Sequence, residues 1–282
     1  MGTTANKLNK ILDSKAKIKA AIEAKGVTNV GDVLSEYPSK IEEISGGGFQ
    51  IPTGTSFAYS KWESIPPEVI TYINTTSGYY NLFYYAVIAY INPETVFIPS
   101  DCSQMFESCK SKSGGGGNFY DKIILDCSRL EYKQLYRTFR ESSNIREIEL
   151  RNTENIYRYY DYAFYNCDAR KITGIDMKSC TYSITDSRVF GNNNWLYFIE
   201  IKNLGYNSNF TALNMSGVAR WGVENEEIPG SKQSLIDSLI TNSFDRATAG
   251  YSTCTITLSS YTKAALTEDE IAQITSKGYT IA

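Results

Sequence analysis

The feature that most constrains the fold of this chain is a phenylalanine that returns at a rough period. Successive members of the series lie 26, 23, 33, 25 and 26 residues apart: Phe57, Phe83, Phe106, Phe139, Phe164 and Phe190. A glycine-rich insertion at residues 111–118 (SKSGGGGN) explains the long gap. A short apolar strand follows in each unit, as at residues 123–125 (IIL) and 148–150 (IEL). This period predicts a solenoid in which each unit contributes one strand and stacks its phenylalanine on the next.

The first 45 residues predict two or three short helices. Over residues 6–25, apolar residues recur at three- and four-residue steps between lysines, which is typical of an amphipathic helix. These apolar residues are Leu8, Ile11, Leu12, Ile18 and Ile22. Because so small a piece buries too little surface to be very stable alone, we expect them to form an assembly face in a homo-oligomer, with a trimer favoured. The alternative is a hairpin that lies on the next domain.

The composition argues against most catalytic and metal-binding chemistry. None of the 282 residues is histidine, the side chain that serves most often as general base and metal ligand. The six cysteines form no CxxC pair and are expected to be buried thiols. We therefore expect no catalytic residue, no metal and no cofactor. A net charge of −3 gives no electrostatic reason to expect nucleic acid as a partner.

Two stretches bear on membranes and export. The most apolar run, residues 79–91, is far shorter than the roughly 20 residues that span a bilayer, so we expect no membrane insertion. At the N-terminus, lysines are scattered through the stretch where a secretory signal would carry an uninterrupted apolar region. The sequence therefore predicts a chain that is not exported by the general route.

Tyrosine is the residue type that points most directly to function, with 22 copies. It is enriched at recognition surfaces because it offers a large contact area and a hydroxyl at low entropic cost. Two clusters are the candidate binding residues: Tyr79, Tyr80, Tyr84, Tyr85, Tyr157, Tyr159, Tyr160 and Tyr162. They could line one surface for sugar rings or protein partners, whereas alternation along a strand would send about half of each cluster into the core.

Three segments resemble repeats of the BspA-like leucine-rich-repeat family: FAYSKWESIPPEVI at residues 57–70, MFESCKS at 105–111 and AFYNCDARKITGIDM at 163–177. Units of that family carry a Phe-x-x-Cys turn and an isoleucine-containing strand. Two units keep the cysteine, at Cys109 and Cys167, and the other four depart from it. The resemblance implies an irregular leucine-rich-repeat-like solenoid.

The N-terminal sequence carries a second resemblance. Residues 7–27 (KLNKILDSKAKIKAAIEAKGV), followed by residues 37–48 (YPSKIEEISGGG), resemble the leader helices of phage virion proteins, especially those of phages that infect gut bacteria. This implies a tail or head fibre or a decoration subunit, assembled in the host cytoplasm and located in the virion. The implied partners are other virion proteins and a host surface protein or glycan.

These patterns together predict an α+β fold in four segments. Residues 1–45 form a helical anchor and oligomerisation module, and residues 46–54 form a glycine-rich linker. Residues 55–225 form an irregular leucine-rich-repeat-like β solenoid, and residues 226–282 form an α/β C-terminal cap, which a solenoid needs to cover its last apolar face. Within the cap, Thr267 and Glu270 match a capping box.

The functional prediction is a structural protein of the virion and not an enzyme. Its N-terminal helices attach it to the particle, and its repeat domain presents a binding surface to the host or to neighbouring subunits. One alternative is a bacterial cell-surface leucine-rich-repeat adhesin. A second is a fibre that depolymerises polysaccharide with two carboxylates, for which Asp161, Asp168 and Asp176 are candidates. Acidic residues on turns are ordinarily solvated caps, which argues against this second alternative.

Overall fold

A computed structural model describes residues 4–23, 31, 57–77, 80–111, 120–142, 145–159 and 162–282. The chain divides into two compact units, Met1–Thr53 and Gly54–Ala282. The predicted glycine-rich linker and the helices expected after residue 30 lie outside the described residues.

In the first unit, one helix is described, α1 (Thr4–Glu23). Its sequence is rich in alanine and lysine and contains neither glycine nor proline, so every residue favours or tolerates the helix. An ion pair of 2.7 Å between Lys17 Nζ and Asp13 Oδ2 joins successive turns. On the predicted assembly face, Ile11, Leu12 and Ile18 are exposed and Ile22 is buried. The side chain of Leu8 lies outside the described part of the chain.

The described residues of the second unit contain thirteen short strands, and every ladder between them is parallel. The strands are β1 (Lys61–Ser64), β2 (Val87–Tyr90), β3 (Val96–Phe97), β4 (Lys110–Ser111), β5 (Tyr120–Asp126), β6 (Gln134–Leu135), β7 (Ile145–Arg151), β8 (Arg158–Tyr159), β9 (Lys171–Asp176), β10 (Phe198–Lys202), β11 (Ala212–Met215), β12 (Cys254–Leu258) and β13 (Tyr279–Ile281). They form sheets with the orders β1-β2-β4, β10-β9-β7-β5-β3, β11-β12-β13 and β6-β8.

The helices of the second unit lie near its two ends. They are α2 (Pro67–Thr75), α3 (Ser231–Ile236) with a π-helix that continues it (Asp237–Thr241), α4 (Ser260–Ala264) and α5 (Glu268–Ser276). Pro67 is the first residue of α2, where a backbone N–H would have no acceptor within the helix, so the N–H that proline lacks is not needed there. The predicted capping box is confirmed, since Thr267 Oγ1 accepts from the Glu270 N–H and the Glu270 carboxylate accepts from the Thr267 N–H at the start of α5.

The predicted fold class, α+β with a leucine-rich-repeat-like solenoid, is wrong. The second unit is an α/β structure with mostly parallel sheets and few helices, and no solenoid is recognised among the described residues. The reason is that helices connect strands that pair in parallel: α2 joins β1 to β2, α3 with the π-helix joins β11 to β12, and α4 with α5 joins β12 to β13. Such βαβ connections define the α/β class, and the phenylalanine period contains no information about them.

A column of phenylalanine rings fills the centre of the second unit. Its members are the six periodic phenylalanines, all buried, and we call them the phenylalanine stack: Phe57, Phe83, Phe106, Phe139, Phe164 and Phe190. Successive ring centroids lie 5.2 to 5.9 Å apart with interplanar angles of 24° or less. The expected stacking of the last four rings is therefore confirmed, although the fold class is not. Offset stacks of this kind add to the stabilisation from burial.

Strand isoleucines and cysteines complete this core. Ile148 of β7 lies in register between Ile123 of β5 and Ile172 of β9, and all three are buried. All six cysteines are buried thiols. Burial raises the pKa of Cys102 and of Cys167 to about 12, so both act as small apolar core residues rather than as nucleophiles.

Side chains cover both edges of the five-stranded sheet. At the β3 edge, the side-chain amide of Asn74 in α2 makes the hydrogen bonds that a neighbouring strand would make. Its Nδ2 donates to the Val96 carbonyl at 3.0 Å, and its Oδ1 accepts from the Ile98 N–H at 2.7 Å. At the β10 edge, the hydroxyl of Ser238 in the π-helix accepts from the Ile201 N–H at 3.0 Å and donates to the Ile199 carbonyl at 3.1 Å. Both devices satisfy strand groups that would otherwise offer an edge for aggregation.

Replacing Ser238 tests how much this edge contact contributes. Ser238→Ala leaves a buried N–H and a buried carbonyl of β10 without partners, so we expect the free energy of unfolding to fall by about 1–3 kcal/mol, measured by urea denaturation. The control is Ser208→Ala, at an exposed serine, which should change it by less than about 0.5 kcal/mol. Equal effects of the two variants would contradict the edge role.

Candidate functional site

The phenylalanine stack imposes one backbone geometry on the turns around it. The residue two positions after each stacked phenylalanine has a left-handed φ of 52° to 59°; these residues are Tyr59, Tyr85, Ser108, Glu141, Asn166 and Asn192. The residue two positions before is left-handed as well at Asn81, Gln104, Arg137 and Tyr162. Each phenylalanine points into the core. Of the residues two positions after it, Tyr59, Tyr85 and Asn192 are exposed, Glu141 and Asn166 are half-buried, and Ser108 is buried. The turns therefore form one surface that is most open towards its ends.

Backbone hydrogen bonds hold the successive turns in line. The N–H of the left-handed residue after each phenylalanine donates to the next turn, to the carbonyl of the residue that directly follows the next phenylalanine. For example, Tyr85 donates to Glu107 at 2.9 Å, Ser108 to Arg140 at 2.7 Å and Glu141 to Tyr165 at 2.8 Å. We call the side chains that flank the phenylalanines on this surface the turn face.

Three tyrosines gather at one end of the turn face. The rings of Tyr59 and Tyr85 stack with centroids 5.5 Å apart and an interplanar angle of 9°, and Tyr84 meets each of them edge-on at 5.7 and 4.6 Å. Tyr59 is 70% exposed, so its ring is open to a ligand. Burial, together with the charges of Glu107 and of the neighbouring tyrosines, raises the pKa of the Tyr84 hydroxyl, which therefore remains a neutral hydrogen-bond donor at physiological pH.

Charged residues occupy the middle of the turn face. Glu107 is only 3% exposed, and its carboxylate accepts from Gln104 Nε2 at 2.6 Å and from Arg140 Nη1 at 3.0 Å. Arg140 Nη2 also donates to Glu141 Oε1 at 2.8 Å. Burial lowers the pKa of Arg140, but the hydrogen bond and charge of Glu141 outweigh it, so the pKa is raised overall. Because Arg140 ties two turns together, this pair holds the face in register.

A second aromatic group follows, in which guanidinium groups surround one tyrosine. The guanidinium carbons (Cζ) of Arg140, Arg188 and Arg137 lie 5.0, 5.5 and 5.6 Å, respectively, from the centre of the Tyr162 ring, within the range of cation–π attraction. Tyr165 meets the same ring edge-on at 5.0 Å. The Arg188 charge is balanced by an exposed ion pair with Asp186. This end of the face is therefore aromatic and rich in hydrogen-bond donors.

The predicted binding tyrosines fall into four groups, the last of which is the buried Tyr159. Tyr84, Tyr85 and Tyr162 lie on the turn face, whereas Tyr79 and Tyr160 lie outside the described residues. Tyr80 and Tyr157 are exposed, and neither belongs to the turn face.

The structure corrects the prediction that Tyr159 belongs to the binding surface. It is 4% exposed in β8 with its hydroxyl donating to the Asp176 carbonyl at 3.3 Å, so it is a core residue.

Among the candidate carboxylates for polysaccharide cleavage, Asp176 has a structural role. The Asp176 carboxylate accepts from Asn203 Nδ2 at 2.9 and 3.0 Å and from the Lys178 N–H at 2.8 Å, so it caps the end of β9. Burial raises the pKa of Asp168. Asp161 lies outside the described part of the chain.

Sequence reasoning missed most of the polar members of the turn face. Gln104, Glu107, Arg137, Arg140 and Arg188 occupy fixed positions relative to the stacked phenylalanines. A search that aligned the turns on the phenylalanine and compared flanking positions would have found them. Tyrosine density, on which the predicted clusters rest, mixes positions that face outward with positions that face the core.

We expect Arg140 to be the most sensitive polar residue of the face. Arg140→Met leaves the buried Glu107 carboxylate without its cation and should lower the free energy of unfolding at pH 7 by about 2 kcal/mol, measured by urea denaturation. Arg188→Met is the matched control: its ion pair is exposed, so its loss should be clearly smaller. Equal losses in the two variants would contradict the assignment.

Comparisons with known proteins find no relative of this chain. The chain matches no protein-family model, no curated protein and no solved structure. Among the described residues, no helix is long and apolar enough to cross a bilayer, and no group of three or more acidic or cysteine side chains is placed to hold a metal ion. The turn face is therefore the feature from which a function is argued.

Proposed function

We propose that this chain is a structural and recognition subunit of a bacteriophage virion, as a tail or head fibre or a decoration protein. The N-terminal helix attaches it to neighbouring virion proteins, and the turn face is presented to the host surface or to adjacent subunits. The observation that carries the proposal is the turn face itself. Aromatic rings and paired charges are aligned there along a single buried stack, which is an arrangement suited to binding rather than to covalent chemistry.

Backbone strain on the turn face supports a binding role. Tyr59, Tyr85 and Tyr162 occupy left-handed conformations, which cost a bulky residue about 1 kcal/mol and which asparagine adopts more easily. Asn166 and Asn192 fill the equivalent position in other turns, so the fold itself does not require tyrosine. The strain is compensated if the tyrosine rings contribute to function. Strained residues of this kind concentrate at ligand-binding sites.

The helix α1 supports attachment through self-association. Leu8, Ile11, Ile18 and Ile22 fall at the a and d positions of a heptad pattern, with Lys15 at the remaining a position. Three apolar side chains of the helix, Ile11, Leu12 and Ile18, are exposed, and burying them in a helical bundle would stabilise an oligomer. A homotrimer is favoured because it would present three copies of the turn face from one attachment point.

A bacterial cell-surface adhesin is the second candidate, because an adhesin would use the same tyrosine-rich surface. The two candidates differ in where the protein is found rather than in the chemistry of the turn face. A polysaccharide-cleaving fibre receives less support, since Asp176 already serves as a strand cap.

The experiment is mass spectrometry of density-gradient-purified particles of the phage whose genome encodes the chain. We expect its peptides to copurify with the particles. Phage that carry Ile11→Glu/Ile18→Glu should lose the protein from the particle, and the isolated variant should be monomeric by light scattering where the wild type is trimeric. The control is Ala16→Glu/Ala20→Glu, which adds the same charge on the opposite side of α1. Recovery of the wild-type protein only in host cell envelopes would contradict the proposal and favour the adhesin.

A further inference from the structure

The turn face is periodic along one line. Six successive turns present the same backbone positions, and neighbouring parallel strands lie about 4.8 Å apart, so the face extends over roughly 25 Å. The last four stacked rings are nearly parallel, with interplanar angles of 10° or less. A periodic surface fits a ligand that is itself extended and periodic, because the same contact can be made again at each turn.

The exposed apolar chemistry of the second unit is entirely aromatic. Among its described residues, the exposed large apolar side chains are tyrosines and Trp195, with no leucine, isoleucine, valine or methionine. Aromatic faces flanked by carboxylate, amide and hydroxyl groups match sugar rings, whose C–H faces stack on aromatic rings and whose hydroxyls bond to planar polar groups.

The charges on the turn face argue against an anionic ligand. The arginines are Arg137, Arg140 and Arg188, and the acidic residues are Glu107, Glu141 and Asp186. The two sets balance, and five of these six residues take part in ion pairs: Arg140 pairs with Glu107 and Glu141, and Arg188 pairs with Asp186. A balanced surface of this kind has no net field to attract a polyanion.

We propose that the turn face binds a neutral, linear polysaccharide that lies along the phenylalanine stack. The open ring of Tyr59 stacks on one sugar unit, and the Tyr162 end contacts another further along the polymer. Between them, Gln104 and Glu141 hydrogen-bond sugar hydroxyls. This inference rests on the proposed function, since it names the host-surface ligand of the same face.

The test uses the full-length protein and a microarray of neutral microbial and plant polysaccharides. Titration calorimetry follows with the di-, tetra- and hexasaccharide of a polymer that binds. We expect binding to at least one neutral polymer, with an affinity that rises at least tenfold from the disaccharide to the hexasaccharide, because longer ligands contact more turns. Tyr59→Asn and Tyr162→Asn should each weaken hexasaccharide binding at least fivefold.

The variants are chosen to preserve the fold. Asparagine occupies the position of Tyr59 at Asn166 and Asn192, and the position of Tyr162 at Asn81, each with a left-handed φ. The control is Tyr261→Asn, which removes an equally exposed tyrosine from α4, outside the turn face, and should leave the affinity unchanged. Unaltered unfolding curves establish that a loss of binding is a loss of contact.

Three outcomes overturn the inference: no binding to any neutral polymer on the array, binding that does not depend on ligand length, or hexasaccharide binding that Tyr59→Asn and Tyr162→Asn leave intact. Binding only to acidic polysaccharides, abolished by salt, falls under the first of these. The proposed function fails separately, through absence of the protein from purified particles. A chain that copurifies with the virion and binds no neutral polymer would retain the proposed function and lose this inference.

Discussion

The structure depends on the coupling between a buried phenylalanine and the left-handed residue two positions after it. The ring of each turn packs on the ring of the next at 5.2 to 5.9 Å, and the N–H of the left-handed residue donates to the following turn. Burial stabilises the rings, and the hydrogen bonds satisfy backbone groups that the turn conformation removes from the strands. Either contribution alone would leave the turns free to shift, whereas both together fix their register.

This coupling also determines what the surface can do. With the phenylalanine fixed inward, the residues that flank it stand at the same places beside the stack in every turn, whatever their chemistry. The chain uses those places for Tyr59 and Tyr85 at one end, for the Glu107–Arg140 pair in the middle, and for Tyr162 among its arginines beyond. One core residue type therefore arranges a line of aromatic and polar groups, and the distinction between core and binding surface is made by a shift of one or two residues in sequence.

Part of this was predictable from sequence, and the remainder depends on contacts between distant residues. The phenylalanine period predicts the ring stack, because repeating units that stack on one another bring their equivalent phenylalanines into contact. Hydrophobic spacing locates the isoleucine strands for the same reason. The period carries no information on the helices that connect β1 to β2 or β11 to β12, which place the fold in the α/β class. Nor does it pair Arg140 with Glu107, 33 residues away, or place Ser238 on the edge of β10.

The most direct test of the account is the unfolding free energy of Phe139→Ala, measured by guanidinium denaturation of the full chain. Phe139 is fully buried between Phe106 and Phe164, so the account predicts a loss of about 3–5 kcal/mol. Phe244→Ala, at a half-buried ring outside the stack, should cost clearly less. A loss below about 1 kcal/mol for Phe139→Ala would contradict the account, because it would mean that the turns hold their register without the ring stack.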